Sequence, residues 1–348
     1  MVKKALIAGA SGGIGQNLVH YLSGLPDWEI VGLSRREPTF ESKAQFISVD
    51  LQNRGEVQDK LSSLTDITHI FYTAFYGGPT FSGPVAENLA MLANVVEAVE
   101  SVSPNLERVV LIQGGKVYGR QLGPFKTPAK ESDPRHMPPN FYFNQEDYLI
   151  EQSEGKSWHW SALRAEAFCS EIVGIPSLPL LIAVYAAISK ELGLPLRFPG
   201  TQSAYNALCQ VTDAGLLAES MVWASTADES ANEAFNLTNS DAFRWSNLWP
   251  KFAEFFEMDY APPQAIPLAE FMADKAELWT QISEKYGLQN YSLDKLAAWP
   301  LGDFIFQCDW DVLLSSTKVQ QAGFHSVVDS EEMFLSLFQR FRDLDITP

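Results

Sequence analysis

Seven residues near the N-terminus, Gly9-Ala10-Ser11-Gly12-Gly13-Ile14-Gly15, constrain this chain more than any other stretch. They have the spacing GxxGxxG. They follow a short apolar run over residues 3–9 and precede Ile14, Leu18, Val19 and Leu22, which fall at the 3–4 spacing of one helix face. A glycine-rich turn between strand and helix lets a pyrophosphate approach the backbone. The helix N-terminus then offers free N–H groups and a partial positive charge. The same spacing occurs in ordinary turns, so the surrounding pattern has to decide.

That pattern repeats. Apolar runs at 29–33, 45–49, 68–72 and 108–112 predict four more strands, with helices over 54–63 and 84–101 between them. Strands alternating with helices at this rhythm predict an α/β fold, a Rossmann-type doubly wound parallel sheet covered on both faces. Residues 120–139 hold five prolines and break the rhythm. A helix from Tyr142 through Ser153 and a sixth strand at 157–163 follow. Beyond about residue 170 the sequence is mainly helical and aromatic-rich, with a strand-like segment at 234–238. The expected organisation is a nucleotide-binding domain over 1–170 that carries the catalytic residues. A smaller helical substrate lobe over 171–348 is expected to return some segments to the core. The apolar run Leu178 to Ile188 is shorter than the ~20 residues of a membrane span and reads as a buried helix. Trp245 and Trp249, at i,i+4, read as lobe core.

Composition narrows the partners. The 348 residues carry a formal net charge of -18. So acidic a chain suits neither nucleic acid nor an anionic membrane, and any anion site must be built locally. The three cysteines are far apart and odd in number, which argues against a disulfide framework and for a reducing compartment. The five histidines show no metal-binding spacing. The apolar stretch at the start is too short for a signal peptide. A soluble, cytoplasmic protein without a metal is expected.

The end of the second strand bears on the choice of dinucleotide. An NAD site wants an acidic residue there for the ribose 2′-hydroxyl. This chain has Ser34-Arg35-Arg36. Two guanidiniums and a hydroxyl suit a 2′-phosphate, so the expected cofactor is NADPH/NADP+. Asp50 ends the third strand, either as an adenine contact or as a turn residue. The expected cofactor contacts are Gly9, Ser11, Gly12, Gly13, Ile14, Gly15, Ser34, Arg35, Arg36 and Asp50. Leu51, Thr73, Gln113 and Ala167, near later strand ends, join them.

After the fifth strand, Val117-Tyr118-Gly119 is similar to the Ser-Ser-x-x-Val-Tyr-Gly segment of the extended short-chain dehydrogenases. Their second serine works with a downstream Tyr-x-x-x-Lys. Here Gly114 stands in place of that serine, and Glu146 stands four residues after Tyr142 in place of the lysine. Lys116, two residues from the vacated serine, is the available amine. This rearrangement resembles the progesterone 5β-reductase/iridoid synthase family, an NADPH-dependent branch of the same superfamily. The likeness covers nearly the whole chain: the glycine turn, Ser34-Arg35-Arg36, residues 64–72, the Lys116 segment, Gly123-Pro124-Phe125 and Asn140-Phe141-Tyr142-Phe143 with Glu146-Asp147. It continues through 184–188, 196–198, 232–236 and Gly302-Asp303.

The resemblance implies a catalytic pair, Tyr142 and Lys116, and an NADPH-dependent 1,4-reduction of an α,β-unsaturated carbonyl compound. Tyr142 would hydrogen-bond the oxygen on which enolate charge develops, with the Lys116 ammonium nearby. The implied substrate-side residues are Phe125, whose alternative role is to anchor its proline-flanked loop, and Leu301, where the family often has an aromatic. A homodimer is expected by superfamily analogy. Arg164-Ala165-Glu166-Ala167 departs from the Arg-Pro-Gly-like family sequence and would place a carboxylate near the nicotinamide. Tyr291-Ser292-Leu293-Asp294-Lys295 matches Tyr-x-x-x-Lys literally but lies far down the chain, as a coincidence. The competing readings are a carbonyl reductase of the same superfamily and a non-catalytic NADP(H) sensor.

Overall fold

A computed structural model describes residues 2–78 and 84–348. Six strands arrive in the expected sequence: β1 (Lys3–Ala8), β2 (Trp28–Ser34), β3 (Gln45–Ser48), β4 (His69–Tyr72), β5 (Arg108–Gly114) and β6 (His159–Ala165). Helices α1 (Gly13–Ser23), α2 (Arg54–Leu61), α3 (Val85–Val102) and α4 (Phe141–Ser153) fall between them. The sixth strand begins two residues later than the apolar pattern implied and runs on to Ala165, in register with Gly114 of β5.

A seventh strand, Glu233–Leu237, returns from far along the chain and pairs in parallel with β6. The sheet order is seventh strand, β6, β5, β4, β1, β2, β3. All these pairings are parallel. Strand order reverses between β1 and β4, which opens a crevice at their carboxyl ends where such folds hold ligands.

Alternate residues of β1 feed the two faces of the sheet. Leu6 and Ala8 join a core with α2 and α3, while Ala5 and Ile7 join one with α1 and the helix Ala214–Thr226. Burial on both faces explains why the strands read as continuous apolar runs. A third core fills the C-terminal half, built on the helices Leu178–Glu191, Trp245–Phe255, Trp299–Phe306 and Ser330–Asp343. Trp245 and Trp249 are both within it, their rings 6.1 Å apart and near perpendicular. Phe198 meets Trp249 and Phe306 edge-on, each at 5.2 Å. Such edge-to-face pairs add to the large apolar area the rings bury. Among the described residues, no helix is long and apolar enough to cross a membrane, and no cluster could hold a metal ion. The three cysteines are free and buried.

Candidate active site

The glycine turn and the strand ends enclose a cleft of about 400 Å³. Gly9, Ser11, Gly12, Gly13, Ile14, Arg35, Asp50, Leu51 and Thr73 all line it. Gly9 has φ +86°, and a Cβ there would come 2.8 Å from the Ala74 backbone, so only glycine fits. Gly12 precedes α1 with no capping side chain, and the first turn carries no acidic residue. The first-turn N–H groups are therefore left without a capping side chain or a neighbouring carboxylate in that turn.

Four of the expected contacts, Gly15, Arg36, Gln113 and Ala167, are not among the residues that line the cleft. Gly15 is a packing residue, because a Cβ on it would sit 2.3 Å from the Gly9 carbonyl oxygen. Arg36 faces a neighbouring depression with Glu37 and Phe40, not the cleft. Ser34 lines both hollows, and its hydroxyl donates to the Arg36 carbonyl at 2.5 Å. Asp50 accepts from the Gln52 N–H at 3.1 Å, as a turn residue does, while also lining the cleft.

The candidate catalytic segment lies at the carboxyl end of β5. Residues Gly115–Tyr118 form a 3₁₀ turn closed by Gly119 at φ +78°. Asn140 joins this turn to α4: its Nδ2 donates to the Lys116 carbonyl at 2.9 Å, and its Oδ1 accepts from the Tyr142 N–H at 3.1 Å. The Tyr142 hydroxyl lies beside the vacated serine position, 3.7 Å from where a Cβ on Gly114 would be. Its ring meets Phe141 at 4.3 Å with the planes tilted by 48°, and Phe141 meets Phe75 at 5.5 Å. Phe75 lines the dinucleotide cleft, so this aromatic series leads from cleft to phenol.

Burial, and then the negative charge of Glu166, push the Tyr142 phenol up to about 12. Burial and the like charge of Arg120 pull the Lys116 ammonium below its ordinary value. No hydrogen bond joins Lys116 Nζ to the Tyr142 hydroxyl among the described residues.

Both unusual carboxylates are buried and paired. Glu146 Oε2 accepts from Arg164 at 2.9 Å and Oε1 from Arg135 at 3.1 Å. Arg164 Nε donates to Gln113 Oε1 at 3.0 Å, and Gln113 Nε2 donates to the Tyr142 carbonyl at 3.0 Å. Both ends of the Gln113 side chain thus have a partner within the protein. Glu166 Oε2 sits 3.2 Å from Arg120 Nε, without hydrogen-bond alignment, and Oε1 has no partner among the described residues. Burial raises the Glu166 carboxyl above the usual range, against the pull of Arg120. A Cβ on Gly115 would lie 1.6 Å from Glu166 Oε1, so a side chain at 115 requires this carboxylate to shift. Arg120 in turn stacks over Phe304 at 4.3 Å.

Phe125 and Tyr142 pack on one small cluster of Val117, Tyr118, Ala129, Phe143 and Leu314. Phe125 also lines a hollow of about 380 Å³ with Leu122 and His136. Leu301 packs against the C-terminal core, and Phe304, one turn further on the same helix, lies under Arg120, which follows the Lys116 turn. Ala167 has φ +25°, and its carbonyl accepts from the Thr212 N–H at 3.2 Å. Phe168 and Ile175, which carry no sequence motif, line the dinucleotide cleft just beyond it. Tyr291 and Lys295 border a separate cavity of about 980 Å³ that shares no lining residue with the dinucleotide cleft.

Comparison with known proteins fits this geometry. The PRISE-like Rossmann-fold domain family matches residues 47–348. The short chain dehydrogenase gsfE of Penicillium aethiopicum is 32% identical over 100% of both chains. The (S)-8-oxocitronellyl enol synthase ISY2 of Nepeta racemosa is 34% identical over 99% of this chain and 91% of its own. The 3-oxo-Delta(4,5)-steroid 5-beta-reductase of Arabidopsis thaliana is 32% identical over 99% and 93%. Among solved structures, the Bordetella bronchiseptica enzyme WbmH in complex with NAD+ superposes with a TM-score of 0.66 at 18% identity, covering 98% of this chain and 99% of that one, a likeness of fold. With its glycine turn, its seven parallel strands and full-length relatives at about a third identity, the chain belongs to the PRISE-like Rossmann-fold family.

Proposed function

We propose that this protein is an NADPH-dependent reductase of the activated C=C bond of enones or enals. The observation that carries the reading is the Tyr142 hydroxyl. It stands beside a position stripped of its serine, at the end of an aromatic series that begins in the dinucleotide cleft. Two relatives bear names that fit chemistry at a conjugated carbonyl, one an enol synthase and one a reductase of a 3-oxo-Delta(4,5)-steroid.

The cleft residues fit a nicotinamide dinucleotide. The first turn of α1 would take the pyrophosphate, and Arg35 the 2′-phosphate that distinguishes NADPH. Bound there, NADPH would supply hydride to the β-carbon of the substrate. The protein's task is then to bind and polarise the carbonyl. Tyr142, a phenol already neutral at physiological pH and moved further from ionisation by a pKa pushed up to about 12, donates a hydrogen bond to the carbonyl oxygen. That bond strengthens as enolate charge accumulates. Lys116, with its pKa lowered, adds positive potential or a second donor from the turn that Asn140 ties to α4. A proton from solvent completes the saturated product.

The test is to incubate the protein with NADPH and 2-cyclohexen-1-one and identify the product. Saturated ketone is expected. Allylic alcohol would assign carbonyl reduction instead, and no turnover over a panel of enones would reject catalysis on this substrate class.

A further inference from the structure

We propose that Glu146 is a positioning residue for Tyr142, acting through Arg164 and Gln113. The proposal rests on the reading of Tyr142 as the donor to the substrate oxygen. Glu146 lies one helical turn after Tyr142, so the Tyr142 carbonyl is also its backbone partner in the α-helix. Side chains close a ring around that bond. Glu146 Oε2 accepts from Arg164, Arg164 Nε donates to Gln113 Oε1, and Gln113 Nε2 donates back to the Tyr142 carbonyl. Gln113 and Arg164 are direct neighbours across β5 and β6, so the ring pins the first turn of α4 to two central strands.

All three side chains are buried, with Gln113 at 3%, Arg164 at 4% and Glu146 at 8% exposure. The remaining Arg164 nitrogen is also committed. Its Nη1 donates to the Tyr118 hydroxyl at 3.0 Å, and that hydroxyl donates to Asn236 Oδ1 at 2.6 Å. With Asn140 holding its N–H and Gln113 its carbonyl, Tyr142 keeps only its side-chain torsions free. A lysine at 146 would face the guanidiniums of Arg164 and Arg135 instead of neutralising them. The carboxylate therefore does different work from the lysine of a Tyr-x-x-x-Lys pair: it fixes where the phenol stands.

The ring can be cut without emptying the core. Gln113→Glu keeps an acceptor for Arg164 but turns an oxygen, not an N–H, toward the Tyr142 carbonyl. Expected is a 10- to 100-fold fall in kcat on 2-cyclohexen-1-one, the scale of a small misplacement of a catalytic group. NADPH Kd should stay within about twofold; the melting temperature should fall by a few degrees, because the variant buries a carboxyl oxygen against the Tyr142 carbonyl, so kcat is compared where every variant is still folded. Glu146→Gln should lower kcat in the same direction. The decisive readout is the cycle with Tyr142→Phe: if Gln113 acts through the phenol, Gln113→Glu costs nothing further in that background. Equal losses from Gln113→Glu in both backgrounds would overturn the proposal. So would wild-type kcat in both single variants while Tyr142→Phe is impaired. Wild-type turnover in Tyr142→Phe would overturn the reading of Tyr142 itself, and this proposal with it.

Discussion

Asn140 donates through its side-chain nitrogen to the carbonyl of Lys116 at 2.9 Å, across 24 residues of chain. The other end of the same amide caps the helix of Tyr142. One side chain thus sets the spacing of the two candidate catalytic segments, which belong to different elements.

Asn140→Asp separates these duties. The carboxylate still caps α4 but can no longer donate to Lys116. Thermal stability should stay close to wild type while kcat falls at least about tenfold. Asn140→Ala should lose both, with a helix-cap cost of about 1–2 kcal/mol in urea unfolding. Unchanged kcat in Asn140→Asp would show that the Lys116 link does not matter for turnover.

Arg35 and Arg36 should separate in a binding assay. Arg35 lines the dinucleotide cleft and Arg36 faces a neighbouring hollow. Arg35→Ala should weaken NADPH by about 10- to 100-fold, the size of a lost charge-assisted bond, and leave NADH nearly unchanged. Arg36→Ala should do much less. Titration by cofactor fluorescence reads both, and equal NADPH losses would place both guanidiniums on the phosphate.

Gly115 and Glu166 should show strong coupling. Gly115→Ala forces a Cβ into the space of Glu166 Oε1, an overpacking change of about 1–3 kcal/mol. Glu166→Ala relieves that clash but leaves Arg120 a buried guanidinium without its carboxylate, which costs about 3–5 kcal/mol alone. The double variant should therefore be less destabilised than the sum of the singles in urea unfolding. Additive losses would mean that the side chain of 166 swings clear.

Acid should destabilise the protein partly through His69. This residue is 1% exposed, and burial is the first cause that lowers its pKa from 6.5 to about 4. The folded state therefore keeps His69 neutral between those values, while the unfolded chain takes up a proton. Stability is full above about 6.5 and is lost as pH falls toward 4, by roughly 3 kcal/mol from this group. His69→Gln should flatten the difference between urea midpoints at pH 7 and pH 4.5, and an unchanged difference would assign the acid sensitivity to other groups.

The parts of the molecule legible in the sequence are those written in local periods. The glycine turn, the first five strands and the helix bearing Tyr142 come from spacing within short windows, and the structure has them within two or three residues. The roles of Glu146 and Gln113 are illegible for a physical reason. Their shared partner Arg164 lies 18 residues from one and 51 from the other. Gln113 sits at a strand end, where cofactor contacts are usual, and only the fold shows that each end of its amide has a partner within the protein. Glu166 was visible as an oddity, but not that a side chain at Gly115 would require it to shift, since nothing in one sequence says which strand ends touch.

The seventh strand has a consequence for anyone who would shuffle parts of this protein. Glu233–Leu237 covers the outer hydrogen-bonding row of β6, the strand that carries Arg164 and leads to Glu166. A fragment ending near residue 170 would leave that row bare to pair with other copies of itself. Swapping everything after 170 for the equivalent half of a cousin would replace one member of the central sheet along with the C-terminal core. Chimeras that keep 233–237 from the same parent as β6 should fold more readily than those cut at the apparent seam.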